Sequence, residues 1–207
     1  THHGPPGQAV TAVYWPTTDR SDPATDVGLD LVADILSDRL LEEVRTREGA
    51  TYSPDAYSDQ SLVIPGYGVM GAVLDVGAGE AERLAALIRD TAAVMAKGGI
   101  TQDELDRAKQ PRLARSKALI ENNEYWLRAV LVGLNQFPQL LDDARNLTSN
   151  VEKQTLESVQ ALLAAGILFS YNWLAIGLGV ASLALVAIDP FAKRFTWWPQ
   201  VFLGLAF

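Results

Sequence analysis

The chain has 207 residues, no cysteine and a formal net charge of −8 at pH 7. An acidic chain without clustered Lys and Arg is poorly suited to bind the phosphate backbone of nucleic acids, and the lack of cysteine excludes disulfides and thiolate metal sites. Asp189, Lys193 and Arg194 are the only charged residues after residue 160, so residues 1–160 hold 15 basic and 24 acidic side chains.

The first predicted elements are a strand and a long helix. Gln8 to Trp15 alternates and is rich in Val, Tyr and Trp, which is typical of a strand. Asp22 can cap a helix, Pro23 suits its first position, and Gly49 can end it. The apolar residues of this helix fall on one face, and a row of acidic residues falls on the opposite face: Asp30, Asp34, Asp38 and Glu42.

A hairpin and a series of helices are predicted next. Residues 51–63 and 69–76 have strand patterns and flank the turn Pro65-Gly66-Tyr67-Gly68. Residues 80–97 are predicted to be helical, and Thr101 and Glu104 form a capping box for the following helix. Further helices are expected near residues 123–133 and 136–150, and from Thr155 into Leu163. This order predicts an α+β fold, with an antiparallel sheet covered on one face by helices.

The C-terminal tail has a different composition. Residues 164–188 are 25 uncharged, mostly apolar residues, more than the roughly 20 that span a bilayer as a helix. Lys193, Arg194 and the pair Trp197-Trp198 follow, as at a membrane interface. We therefore predict two regions, residues 1–158 and residues 159–207, the second with one or two transmembrane-type helices. A buried helix of a soluble protein is the alternative.

The sequence contains no recognisable metal-binding or nucleophile motif. His2 and His3 are the only histidines, and they are adjacent in a Gly/Pro-rich loop rather than three or four residues apart on a helix. The best candidate site residues are Arg45 and Tyr52, on either side of Gly49. Together they could donate hydrogen bonds to a peptide carbonyl or a developing oxyanion. Alternatively, Arg45 is favoured by the helix dipole and Tyr52 is a half-buried strand residue.

Several motifs in residues 1–163 carry a family resemblance. The run Arg39-Leu-Leu-Glu-Glu-Val-Arg45-Thr-Arg-Glu-Gly49-Ala-Thr-Tyr52-Ser-Pro54 resembles the R-L…R-x-x-x-G-x-x-Y-S segment in the C-terminal half of pitrilysin/insulinase-family zinc peptidases. Other motifs agree in the same order, namely Trp15-Pro16-Thr17-Thr18-Asp19, Pro65-Gly66-Tyr67-Gly68, Gly99-Ile-Thr101-Gln-Asp-Glu104-Leu105 and Asn123-Glu-Tyr-Trp126-Leu127. The likeness is nearest to bacterial periplasmic members.

This resemblance implies the non-catalytic, substrate-contacting domain of a zinc metallopeptidase. In that family, two bowl-shaped halves enclose a chamber, and extended peptides add a strand to a sheet edge. The zinc motif H-x-x-E-H lies in another domain or on a partner subunit. No cofactor is therefore expected in this chain, zinc is expected in the catalytic domain, and this chain is expected to be inactive alone. By the same resemblance, Arg45 and Tyr52 contact the substrate backbone and stabilise the tetrahedral intermediate. The implied partners are a zinc-bearing peptidase domain or subunit and a peptide substrate.

The tail carries a second resemblance. Residues 175–188, the segment Pro190-Phe-Ala-Lys193-Arg194-Phe-Thr196-Trp197-Trp198-Pro199-Gln200 and residues 203–207 look like 4-hydroxybenzoate polyprenyltransferase, an enzyme of ubiquinone biosynthesis. Both Mg²⁺-binding aspartate motifs of that family are absent, so this segment cannot itself transfer a prenyl group. The peptidase likeness also breaks here: its members usually add a strand after the helix that begins at Thr155, where this chain enters the apolar tail.

Two further hypotheses follow from the joined resemblances. The chain could be an integral membrane fragment of a polyprenyltransferase, which requires the aspartate motifs in flanking sequence. It could also be a chimeric chain of two unrelated genes joined near residues 155–165, which sequencing one continuous DNA molecule would test. The first region predicts the periplasm of a bacterium, and the tail predicts the inner membrane, with membrane contact through residues 164–207.

Overall fold

The computed structural model describes residues 8–48, 53–77 and 79–170. The chain divides into two units, Thr1–Ile167 and Leu168–Phe207, and the described elements belong to the first unit except for the end of the last helix. The apolar tail after Ser170 lies outside the described residues, so its predicted transmembrane-type helices stay a prediction. Within the described ranges, no helix is both long and apolar enough to cross a membrane.

The sheet has three antiparallel strands: β1 (Gln8–Thr17), β2 (Asp55–Gln60) and β3 (Gly68–Gly77). Their spatial order is β1-β3-β2, so β3 is central and both other strands are edges. β2 and β3 form the predicted hairpin. Its loop turns at Gly66, whose φ of 68° is readily adopted only by glycine.

The helices follow the predicted order and confirm the α+β fold. They are α1 (Pro23–Glu48), α2 (Ala81–Val94), α3 (Gln102–Ile120), α4 (Asn123–Tyr125), α5 (Leu140–Glu152) and α6 (Leu156–Ser170), with π-helical turns at Met95–Gly99 and Trp126–Leu131. α1 begins as predicted, because the carboxylate of Asp22 accepts the N–H groups of Ala24 and Thr25 at 3.1 and 3.3 Å. α6 begins after Thr155, whose Oγ1 accepts the N–H of Ser158 at 3.2 Å.

The core lies between one face of the sheet and the helices. α1 and α2 contact the strands, and Thr11 Oγ1 on β1 donates to the carbonyl of Ala81 at the start of α2 at 3.1 Å. The largest fully buried side chains come from several elements: Leu31, Ile35, Leu36, Leu40, Met70, Leu74, Leu84, Ile88, Met95, Leu105 and Leu163. Alternate strand residues point away from this core, so the opposite face of the sheet is not covered by the described helices.

Candidate functional site

Arg45 lies in the last turn of α1, and its side chain is exposed. It lines a cleft of about 390 Å³ together with Ile35, Asp38, Arg39, Leu41, Glu42, Glu104 and Arg107. Within the described part of the chain, Arg45 forms no ion pair. Tyr52 lies outside the described residues, so its proximity to Arg45 stays a prediction. The structure therefore shows an exposed arginine that lines a cleft.

The wall of this cleft is fixed by Arg39, which is the first residue of the same motif. Its Nε donates to Glu104 Oε1 at 2.6 Å and its Nη2 donates to Glu104 Oε2 at 2.8 Å. Nη2 also donates to the carbonyl of Gly99. Because a bidentate Arg–carboxylate pair is directional as well as strong, it holds the start of α3 against α1. Arg39 thus fixes one wall of the cleft that Arg45 also lines.

Glu104 joins this ion pair to the predicted capping box. The N–H of Glu104 donates to Thr101 Oγ1 at 3.3 Å, while the N–H and Oγ1 of Thr101 donate to Glu104 Oε2 at 2.8 and 2.7 Å. The hydrogen bonds from Arg39, and then those from Thr101, lower the pKa of Glu104 to about 2. The same carboxylate, with Arg39 and Glu42, also lines a neighbouring cleft of about 580 Å³.

Replacing Glu104 by glutamine is expected to destabilise the domain by about 1–2 kcal/mol at pH 7, at the lower end because the carboxylate partly contacts water. The pKa of Glu104 is about 2 in the folded chain and near 4.5 when unperturbed. Its contribution is therefore fully present above pH 4.5 and is lost as the pH falls towards 2. Urea unfolding at pH 7, 4.5 and 3 should show the wild-type advantage shrinking. Glu82→Gln, at an exposed surface pair, is the control and should show no such trend.

The acidic face of α1 is bound by a cation from α3. Arg112 Nη1 donates to Asp30 Oδ2 at 2.7 Å and Nη2 donates to Asp34 Oδ1 at 2.9 Å, and Nε donates to the other Asp34 oxygen. Burial raises the pKa of Asp30 to about 6, against the opposing effect of the Arg112 charge. The sequence placed Asp30 and Asp34 opposite the apolar face without a partner; the structure shows that α3 covers them.

Zinc would need a set of His, Cys, Asp or Glu side chains arranged as ligands. In the ranges that the structure describes, no group of three or more such side chains could hold a metal ion. His2 and His3 lie outside those ranges. The described residues therefore do not supply a zinc site, and the chemistry that this cleft offers is hydrogen-bond donation and charge.

The sequence of the region that contains this cleft shows to which family the chain belongs. Residues 2–111, more than half of the chain, match the family described as the peptidase M16 inactive domain. This chain belongs to that family. The predicted pitrilysin/insulinase-type non-catalytic domain is thereby confirmed, and the matched residues of this M16 inactive domain include Arg39, Arg45 and Glu104.

Solved structures of peptidases share the fold of this M16 inactive domain. The inactive peptidase domain of a Bordetella parapertussis protease matches with a TM-score of 0.65 at 20% identity, over 80% of this chain and 89% of that one. The peptidase M16 inactive domain of Pseudomonas fluorescens matches with a TM-score of 0.62 at 26% identity, over 79% and 39%. The ferredoxin protease FusC, solved in complex with Arabidopsis ferredoxin, matches with a TM-score of 0.59 at 19% identity, over 76% and 17%.

Short segments of curated proteins match the chain as well. The mitochondrial 4-hydroxybenzoate polyprenyltransferase of Caenorhabditis elegans is 46% identical over 61 residues, which are 28% of this chain and 17% of that enzyme. The Bos taurus enzyme is 52% identical over 48 residues, 23% and 13% of the two chains. The chain thus spans less than a fifth of these relatives. The resemblance to a polyprenyltransferase fragment is confirmed.

The sequence located Arg45 but missed the contacts that hold α3 against α1. Arg39 and Glu104 are 65 residues apart, and Arg112 is about 80 residues from its carboxylate partners. The capping box pointed to Glu104 only as a local helix start. The signal available in the sequence was a surplus of carboxylates on α1 and the presence of arginines on α3, but only the fold shows which helix faces which.

Proposed function

We propose that residues 1–158 form the substrate-contacting, non-catalytic domain of a zinc metallopeptidase, which works with a zinc-bearing domain or subunit on peptide substrates. Membership of the M16 inactive domains supports this role. The bound ferredoxin in a structure of the same fold supports a protein substrate. By itself, this chain is expected to cleave no peptide.

The observation that carries the proposal is the exposed Arg45 in the last turn of α1. Arg39, which lines the same cleft, is hydrogen-bonded to Glu104 and Gly99 and fixes one wall of it. The Arg45 guanidinium forms no ion pair within the described residues and can bind a ligand. A guanidinium has five N–H donors and is always charged, which suits a peptide carbonyl or an oxyanion. Zinc in the catalytic domain would supply the hydrolytic chemistry. Arg45, with Tyr52 as a second donor, would hold the substrate backbone in place.

In the complete enzyme, Arg45→Ala is expected to lower kcat about 10- to 100-fold and to change KM less than about threefold. A donor aimed at developing charge contributes more in the transition state than in the bound substrate. Tyr52→Phe, which removes only a hydroxyl, is expected to lower kcat about tenfold. Steady-state kinetics on a fluorogenic peptide measure both values.

The matched control is Arg128→Ala, which removes another exposed guanidinium, paired with Glu124 at 3.0 Å on the surface. This variant should keep both kinetic constants. If Arg45→Ala and Tyr52→Phe also keep theirs, the two residues do not act on substrate. A loss confined to KM would make them binding residues without a role in turnover.

The tail supports a narrower proposal. We infer that residues 159–207 derive from a polyprenyltransferase-like sequence and do not transfer prenyl groups, because the aspartates that would hold Mg²⁺ are missing from them. An apolar stretch of this length favours contact with a membrane. The first region favours the periplasm of a bacterium as the location, and the tail favours the inner membrane.

A further inference from the structure

The open face of the sheet presents four rows of side chains, because alternate residues of each strand point away from the helices. β3 is in register with β1 and β2, so each row crosses the strands. The rows are Val10–Asp75, Ala12–Val73–Asp55, Tyr14–Gly71–Tyr57 and Pro16–Val69–Asp59. Val10 and Tyr14 are 63% and 56% exposed, and Tyr57 is 38% exposed. This surface, which we call the open sheet face, is apolar at its centre.

Two tyrosines meet at the middle of the open sheet face. Gly71 separates them, and a Cβ at this position would lie 2.9 Å from the Tyr57 ring and 3.0 Å from the Tyr14 ring. The absence of that Cβ lets both rings fold over the central strand. The neighbouring Tyr14 phenol raises the pKa of the Tyr57 phenol. The pair therefore forms an aromatic platform over the central strand.

The charged side chains that the strands themselves carry have one sign. The three strands contain Asp55, Asp59 and Asp75, all exposed, and no Lys or Arg. Asp55 and Asp59 are close enough to Tyr57 to act on its phenol. Carboxylates beside aromatic rings attract a guanidinium or ammonium, through ion pairing and through cation–π contact. The complementary ligand therefore carries positive charge next to apolar groups.

The size of the open sheet face restricts its occupant. Three strands are about 10 Å across, and four rows along the strands span about 20 Å. An area of roughly 200 Å² is far below the roughly 800 Å² per partner that a stable interface between folded proteins needs. It does suit a single extended chain, in which about six residues span 20 Å and alternate side chains face the same way.

We propose that the open sheet face binds an extended polypeptide segment in which Arg or Lys alternates with apolar side chains. The apolar side chains would lie on the Tyr14–Tyr57 platform, and the cations would lie over the rows that end in Asp55, Asp59 and Asp75. This inference rests on the proposed function, since it names the kind of peptide that the domain contacts. It concerns a surface separate from Arg45 and can be tested without turnover.

The test uses the full chain and fluorescein-labelled nonapeptides. One peptide has Arg and Leu alternating at every second position with Ser between them, and the second has Glu in place of Arg. Fluorescence anisotropy should give a Kd at least about tenfold lower for the Arg peptide than for the Glu peptide. The difference should shrink between about 50 mM and 500 mM salt, because exposed charges are screened.

Variants then locate the site. Asp59→Asn combined with Asp75→Asn should raise the Kd of the Arg peptide at least about fivefold. Asp90→Asn combined with Asp142→Asn makes the same change in net charge from exposed helix positions and should leave the Kd within about twofold. Tyr14 and Tyr57 should react with tetranitromethane in the free chain and be protected by the Arg peptide.

Several results would overturn the proposal. An equal Kd of the Asp59/Asp75 variant and its control for the Arg peptide would show that the peptide binds elsewhere on the chain. Tyrosines already protected in the monomeric free chain would show that other residues of this chain cover the face. Sedimentation as a dimer that Tyr14→Ser abolishes would assign the face to a second copy. None of these results would contradict the proposed function, which is tested separately by the kinetics of the Arg45 variant.

Discussion

Replacing Arg112 by alanine is expected to lower the free energy of unfolding by about 3 kcal/mol at pH 8. This figure is at the lower end for a buried ion pair because the Arg112 side chain is 30% exposed. Without the guanidinium, the half-buried side chains of Asp30 and Asp34 lose the cation that lies between them. Urea unfolding followed by circular dichroism measures the loss.

The pH dependence of the Arg112 variant separates charge from packing. Burial already raises the pKa of Asp30 from the usual 3.8 to about 6. Between these two pH values, Asp30 therefore binds a proton in the folded chain but not in the unfolded chain. Stability from this group therefore rises as the pH falls from 6 towards 4. Removing Arg112 should raise the pKa of Asp30 further. The deficit of the variant should then be smaller at pH 5 than at pH 8.

The control for Arg112 is a surface arginine on the same helix. Arg107 is mostly exposed and pairs with Asp103 at 3.2 Å, so Arg107→Ala should cost no more than about 0.5 kcal/mol. If both variants unfold at the same urea concentration at pH 8, the contacts of Arg112 do not hold α3 against α1. A deficit that is the same at pH 5 and pH 8 would point to lost packing of the side-chain stem instead.

Replacing Gly68 by alanine is expected to destabilise the domain by about 2–3 kcal/mol. A Cβ at this position would lie 2.0 Å from the carbonyl oxygen of Thr18 and 2.6 Å from Thr17 Oγ1. The nearest obstacle is backbone, so the start of β3 must move. Because Gly68 pairs with Thr17 on one side and Gln60 on the other, both ladders are disturbed. Urea unfolding reports the loss.

Gly79 provides the matched comparison for Gly68. It follows the same strand, no atom lies within 4 Å of its expected Cβ, and its φ is not in the left-handed region. Gly79→Ala should therefore be neutral or stabilise by up to about 0.5 kcal/mol, because alanine restricts the unfolded chain. Equal stability of the two alanine variants would contradict a role for close backbone approach at Gly68.

Local patterns were enough to predict most elements. The ends of α1 could be read from Asp22, Pro23 and Gly49, since capping depends on residues adjacent in sequence. The hairpin and the capping box at Thr101 were also predicted, because turns and caps both depend on residues that are close in sequence. The partner of the acidic face of α1 could not be predicted, because periodicity shows which face is polar but not which helix packs on it. Arg112 lies about 80 residues away.

The candidate site was likewise predicted only in part from the sequence. Arg45 was identified from its motif, and the structure places it exposed at a cleft. Its juxtaposition with Tyr52 lies outside the described residues and stays a prediction. The ion pair between Arg39 and Glu104 joins residues 65 positions apart, and nothing in either local pattern required them to meet.

The sequence by itself determined the α+β order of elements, the membership of residues 2–111 in the M16 inactive domains, and the different character of the tail. These depend on residue types and short spacings, which are local. Only the tertiary structure decided that Arg39 and Arg112 fix α3 to α1, and that Tyr14 and Tyr57 meet over Gly71 on an acidic sheet face. Such contacts depend on how helices and strands pack, and packing brings together charges and rings that are far apart in the chain.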